Sequence, residues 1–167
     1  MDTQRVQDRL SRKRKILFAE KDPGLVDLKA ALERLSRREI VLWAFECCEP
    51  QLDRPELHEA YTLVTKWARG EIKMPQAKRA ILAIHSLAGE ADELAEELRL
   101  RALAQELSTV HTPTHAMGLP LYSLSSLVYR TGTVNRHEID ASLHHYHQVI
   151  ERVKQMDIEA MTWADFL

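Results

Sequence analysis

Histidine is the reactive side chain that this sequence supplies in excess, with eight copies in 167 residues. An imidazole can ligate a metal, move a proton, or bridge two polar groups, since one ring nitrogen donates while the other accepts. Three sets stand out. Asp140, His144, His147 and Glu151 are spaced 4, 3 and 4 apart, so a helix aligns them on one face as a candidate ligand set. That face flanks an apolar stripe, where polar residues ordinarily meet water, and a solvated row is the preferred reading. His111 and His115, in Val-His-Thr-Pro-Thr-His-Ala, are also four apart. Pro113 between them marks a helix start and argues against a one-helix chelate. His85 stands four after Ile81, on the inward side of its helix. A lone inward histidine is more often a hydrogen-bonded core residue than a ligand. The expectation is that His85, His111 and His115 meet at or near one helix junction and organise it through hydrogen bonds, with no metal or cofactor.

Other chemistry is poorly supported. The zinc-peptidase pattern His-Glu-x-x-His is absent, as are a phosphate loop and a dinucleotide fingerprint. Ser123, Ser125 and Ser126 lie in no nucleophile elbow. Cys47 beside a histidine would make a nucleophile. However, Glu46 and Glu49 would raise its pKa, and a stripe shared with Ile40 and Ala44 makes it a buried structural thiol. Cys47 and Cys48 are adjacent, about 100° apart on a helix, which argues against a disulfide between them. Trp43 and Trp67 fall on helix faces and read as core or interface aromatics.

The elements that position these residues are helical. The first 21 residues read as a helix with a ragged apolar pattern, and the basic run at 11–15 as its solvated face. Asp22-Pro23 reads as a helix start, followed by a stripe of Leu25, Leu28, Leu32 and Leu35. Ser36 with Glu39, Asp53 with Glu56, and Asn135 with Glu138 have the spacing of capping boxes. Pro50 ends the Cys47–Cys48 helix, Gly70 ends the next, and a further helix runs from Pro75 to Gly89. One long helix is expected over 90–110. Another runs from Thr112-Pro113 towards Tyr129, kinked or split by Pro120 and ended by Gly132. Ile139, Leu143, Tyr146, Ile150 and Val153 make the cleanest amphipathic helix. The tail either docks Trp163 and Phe166 or frays. The expectation is an all-α fold, an irregular bundle of seven to eight helices forming a single domain over 1–167, without internal repeats.

Composition narrows the function classes. Hydrophobic residues are 45% and charged residues 29%, as in ordinary globular proteins. A net charge of −2 argues against a general nucleic-acid binder. No apolar run approaches the length of a membrane span, and the N-terminus lacks the apolar centre of a signal peptide. The expected location is the cytoplasm.

Three ordered blocks carry a resemblance: LWAFECCE (42–49), RPELHEAYTLVTKWARGEIKMPQAKRAILAIHSLAGE (54–90) and ALAQELSTVHTPTHAMGLPLY (102–122). Within them stand Trp43, Ala44, Cys47 and Glu49, then Trp67, Gly70, Glu71, Ala77, Arg79 and His85. His111, His115, Gly118 and Tyr122 follow. Over about 39–129 the chain resembles a bacterial family labelled putative immunity proteins, small helical proteins of polymorphic toxin systems. It is less alanine-rich than that family and has Pro120 where members tend to have small residues. The resemblance implies a protein that binds and neutralises a cognate toxin without catalysis. Such a role calls for a stable scaffold and a complementary, often charged, surface. The acidic run Glu90, Asp92, Glu93, Glu96 and Glu97 is one candidate for it, and a solvated helix face accounts for the run equally well. Two other readings stay open: a small metal-dependent enzyme built on the histidines, and a regulatory or scaffold domain acting as a homodimer.

Overall fold

The computed structural model describes residues 2–48 and 52–167. Among the described residues it contains eight α-helices, two 3-10 turns and no strand. The all-α reading therefore holds. Glu49 and Pro50 lie outside the described residues.

The N-terminal helix is much shorter than expected. Helix α1 (Thr3–Ser11) is capped by Asp2, whose carboxylate accepts from the Arg5 amide at 3.2 Å. Lys13 then adopts φ +53°, and residues 14–21 run as irregular chain. Leu17 and Phe18 are both buried. This irregular backbone finds its partners in side chains. Leu17 N–H donates to Ser125 Oγ at 3.0 Å, Arg9 donates to the Leu17 carbonyl, and Tyr129 Oη donates to the Arg14 carbonyl.

Asp22 does not cap the next helix. Its carboxylate, 2% exposed, accepts from Ala19 N–H and pairs with Arg5 at 2.8 Å and Arg9 at 3.2 Å. Helix α2 (Leu25–Leu32) begins two residues after Pro23, following Gly24 at φ +84°. Asp53 departs from expectation in the same way: its carboxylate pairs with Arg99 at 3.2 Å, and Arg54 takes the N-cap position without a side-chain capping bond. A buried or paired arginine competes successfully for a short carboxylate that sequence spacing assigns to a cap. At Ser36 and Glu39 the capping box does form, opening helix α3 (Arg37–Cys48).

Helix α4 (Pro55–Ala68) ends at Gly70, whose φ of +78° allows Glu71 N–H to reach back to the Lys66 carbonyl. Helix α5 (Met74–Glu90) runs through Gly89, and helix α6 (Leu94–Ser108) starts only after an extended break at Ala91 (ψ 128°). The expected helix over 90–110 is thus interrupted near its start, and α6 packs against α5. Beyond α6, a 3-10 turn (Pro113–Met117) leads into helix α7 (Gly118–Thr131). Pro120 neither kinks nor splits α7. It sits in the first turn, where its missing N–H has no intrahelical partner to lose. Gly132 at φ +68° ends α7, and Asn135 accepts from His137 N–H to open helix α8 (Arg136–Val153).

Two apolar clusters share α3. Trp43, Ala44 and Cys47 face α1, α2, α7 and α8, while Val41, Phe45 and Cys48 face α4, α5 and α6. The adjacent cysteines are free and buried, each directed into a different cluster, as their angular offset on the helix requires. Trp43 is fully buried and donates from Nε1 to the Tyr146 carbonyl at 3.1 Å. Cys48 donates to Glu106 Oε2 at 2.9 Å, and Glu106 itself is 0% exposed.

Candidate functional site

The site grows from two chain breaks that abut. Gly70 stops α4 just after Trp67. At the end of α6, His111 and Thr112 donate to the Ser108 carbonyl, and Pro113 turns the chain into the 3-10 turn that carries His115. Trp67 and His111 consequently lie with ring centroids 6.0 Å apart, and His111 and His115 5.7 Å apart. The tail docks rather than frays. Ala164 N–H donates to the Ala68 carbonyl at 2.8 Å, Trp163 donates to the Ile158 carbonyl, and Phe166 packs against Trp67 at 5.3 Å. Gly70 permits this approach, with the Ala164 backbone 3.4 Å from where a Cβ would stand. A ring row results: Phe166, Trp67, His111, His115.

Arg37 lies beside this row. Its guanidinium donates to the carbonyls of Phe166 (2.9 Å) and Val110 (3.1 Å) and lies 5.6 Å from the Phe166 ring centroid. Among the described residues no ion pair joins Arg37 to a carboxylate. The His111 pKa is pushed below the usual imidazole value by partial burial, and further by the nearby His115, Lys78 and Arg37.

His85 sits on the shoulder of α5. The fully inward places belong to Ala77, Ile81, Ile84 and Ala88, and His85 is half-buried. Its Nδ1 faces Arg101 Nη1 at 3.2 Å, and because a guanidinium only donates, Nδ1 accepts and the ring is neutral. Burial lowers its pKa, with Arg101 and His115 adding to the effect. His115 is within electrostatic reach of both other histidines, so the three occupy one region around the junction after α6. His115 Nδ1 in turn meets Gln105 Oε1 at 2.6 Å. These groups offer aromatic rings, imidazole nitrogens and guanidinium charge, which is the chemistry of recognition.

Other sequence candidates lie elsewhere. Trp43 is sealed in the interior. On α8, Asp140 pairs with Arg136 and Glu151 with Lys154, leaving a solvated row in which His144 is exposed. Among the described residues no group of three His, Cys, Asp or Glu side chains is placed to hold a metal ion. The acidic run is partly neutralised: Glu96 pairs with Arg99 and Arg54, and Glu97 with Lys15 and Arg101. Arg37 and its contact with Phe166 were missed in the sequence, because nothing local links position 37 to 166. Buried Glu106 was missed because it reads there as a surface position.

The profile of the family described as Imm-5 like putative immunity protein matches residues 30–155. The chain belongs to this family. No curated protein matches it, and no solved structure does. The family match takes in Arg37, Trp67, His85, His111 and His115, whereas α1 and the docked tail with Trp163 and Phe166 lie outside it. Among the described residues no helix is long and apolar enough to cross a membrane.

Proposed function

We propose that this member of the immunity family binds a cognate toxin protein in the cytoplasm and neutralises it by occupying its surface, without turnover. The observation that carries this reading is the placement of His111, His115 and Arg37, all within the family match and gathered around the buried Trp67, beside apolar side chains left in water. Phe166 is 42% exposed and Met74 49%. Protein interfaces concentrate aromatic, methionine and arginine side chains of this kind. The helical scaffold behind them is packed in two clusters and needs no partner to bury its core.

The test is co-expression with the protein encoded by the neighbouring reading frame. Restored growth, together with a stable complex on size-exclusion chromatography, is the expected result. Toxicity that persists despite full expression of this chain overturns the reading.

A further inference from the structure

We propose that the cavity between α1 and the segment following it binds a phosphate dianion, free or as the monoester of a small molecule. Arg5, Arg9, Arg12 and Arg14 line this cavity of about 480 Å³, and Ile16 and Phe18 form its apolar wall. The local chain gathers the four guanidiniums. Arg5, Arg9 and Arg12 are spaced four and three apart, so α1 and its C-cap place them on one face. Lys13, at φ +53°, then reverses the chain in a conformation that side-chain-bearing residues seldom adopt. Lys13 N–H donates to the Leu10 carbonyl at 2.9 Å and Arg14 N–H to the Arg9 carbonyl at 3.0 Å, the two bonds of a Schellman end. Arg14 is thereby turned back towards α1, and the Tyr129 hydroxyl holds its carbonyl.

The distances leave this cluster with positive charge to spare. Asp22, 2% exposed, meets Arg5 at 2.8 Å and Arg9 at 3.2 Å, and Arg9 also donates to the Leu17 carbonyl at 2.8 Å. One buried carboxylate thus fixes two guanidiniums. Arg12 and Arg14 are exposed and, among the described residues, have no carboxylate within 4.0 Å. Lys15, by contrast, pairs with Glu97 on α6. Asp8 also lines the cavity; it accepts from Gln4 Nε2 at 3.0 Å and forms no ion pair. Four guanidiniums against Asp8 and Asp22 leave room for about two negative charges, which a phosphomonoester carries near neutral pH. Guanidinium forks match pairs of phosphate oxygens, and Arg5 and Arg9, already held, lose little freedom on binding. The net charge of −2 on the whole chain favours a compact anion over a long polyanion. The cavity precedes the family match at 30–155, so it stands apart from the toxin-binding reading.

The test titrates the full chain with inorganic phosphate and with AMP, using adenosine as the uncharged control. Nuclear magnetic resonance of the arginine Nε–H groups reports the site, and calorimetry reports the affinity. The expected result is saturable shifts at Arg5, Arg9, Arg12 and Arg14 with the phosphate-bearing probes and none with adenosine. The ratio of the two affinities distinguishes the free ion from the ester, and either one supports the site. The double variant Arg12→Gln, Arg14→Gln should weaken binding about tenfold at low salt. Neither side chain bonds to another group among the described residues, so the variant keeps the fold, which its melting temperature verifies. Asp8→Asn should tighten binding, because it removes the repelling carboxylate from the lining. Absence of shifts, equal binding of adenosine, or affinity unchanged in the double variant overturns the proposal. So does binding of a single-stranded RNA octamer or a phosphoserine peptide more tightly than either small probe.

Discussion

Gln105 Oε1 meets His115 Nδ1 at 2.6 Å, and its side chain occupies the space that a Cβ on residue 118 would fill. A Cβ there would lie 2.6 Å from Gln105 Cγ and 2.8 Å from Gln105 Cβ. The clash reaches the root of the side chain, so a simple rotation at its far end does not relieve it. Gly118 has an ordinary helical φ of −62°, so close approach rather than backbone freedom explains the glycine.

Gly118→Ala should therefore destabilise the protein even though alanine is the better helix former. Overpacking costs about 1–3 kcal/mol and the propensity gain offsets at most about 1 kcal/mol. Adding Gln105→Ala should recover much of the overpacking loss. Thermal melts of the two single variants and the double variant measure the coupling; strict additivity would show that the contact does not matter.

Cys47 and Cys48 should both be slow to react with thiol reagents in the native state. Burial raises both pKa values well above the ordinary thiol range, and the Glu106 carboxylate raises them further. The reactive thiolate is thus scarce as well as inaccessible. Labelling should appear only on unfolding, and rapid modification of Cys47 in folded protein would contradict the packing of α3.

Acidification should lower stability gradually. His85, His111 and His145 all have lowered pKa values, in each case chiefly through partial burial. The unfolded chain therefore binds more protons than the native state once the pH falls below about 6.5, the ordinary imidazole value. Stability is full above that value, declines as the pH drops through it, and levels off below the native pKa values. All three rings keep contact with water, so the slope is shallow. Melting temperatures between about pH 7.5 and about pH 5 report it. The double variant His85→Asn, His111→Asn should flatten the curve, leaving the part due to His145. A melting temperature that rises on acidification would reverse the sign argued here.

The two apolar clusters should unfold together. Trp43 reports on one and Trp67 on the other, while α3 and α6 contribute side chains to both. Removing either cluster strips one side from these shared helices, so neither persists alone. Fluorescence of Trp43-only and Trp67-only variants, each with Trp163 replaced as well, should give coincident transitions with denaturant. Separate midpoints would divide the chain into two folding units.

Sequence alone determined the helical class and several helix ends, because these depend on short-range physics. Apolar spacing of three and four selects the buried face of α5 and α8, Gly132 and Asn135 act through their own backbone neighbours, and the Ser36–Glu39 box closes over three residues. It also brought His85, His111 and His115 forward as a set. Tertiary structure decided whatever depended on a distant competitor. Asp22 and Asp53 have the sequence of caps, but arginines from α1 and α6 claim their carboxylates. Residues 14–21 have helix-forming composition, yet Ser125 and Tyr129 on α7 bond that backbone as irregular chain. Glu106 is buried against a thiol 58 positions away, and Arg37 reaches Phe166 across 129. A carboxylate or guanidinium binds whichever opposite charge or open carbonyl the fold brings nearest, and that neighbour is absent from its local sequence.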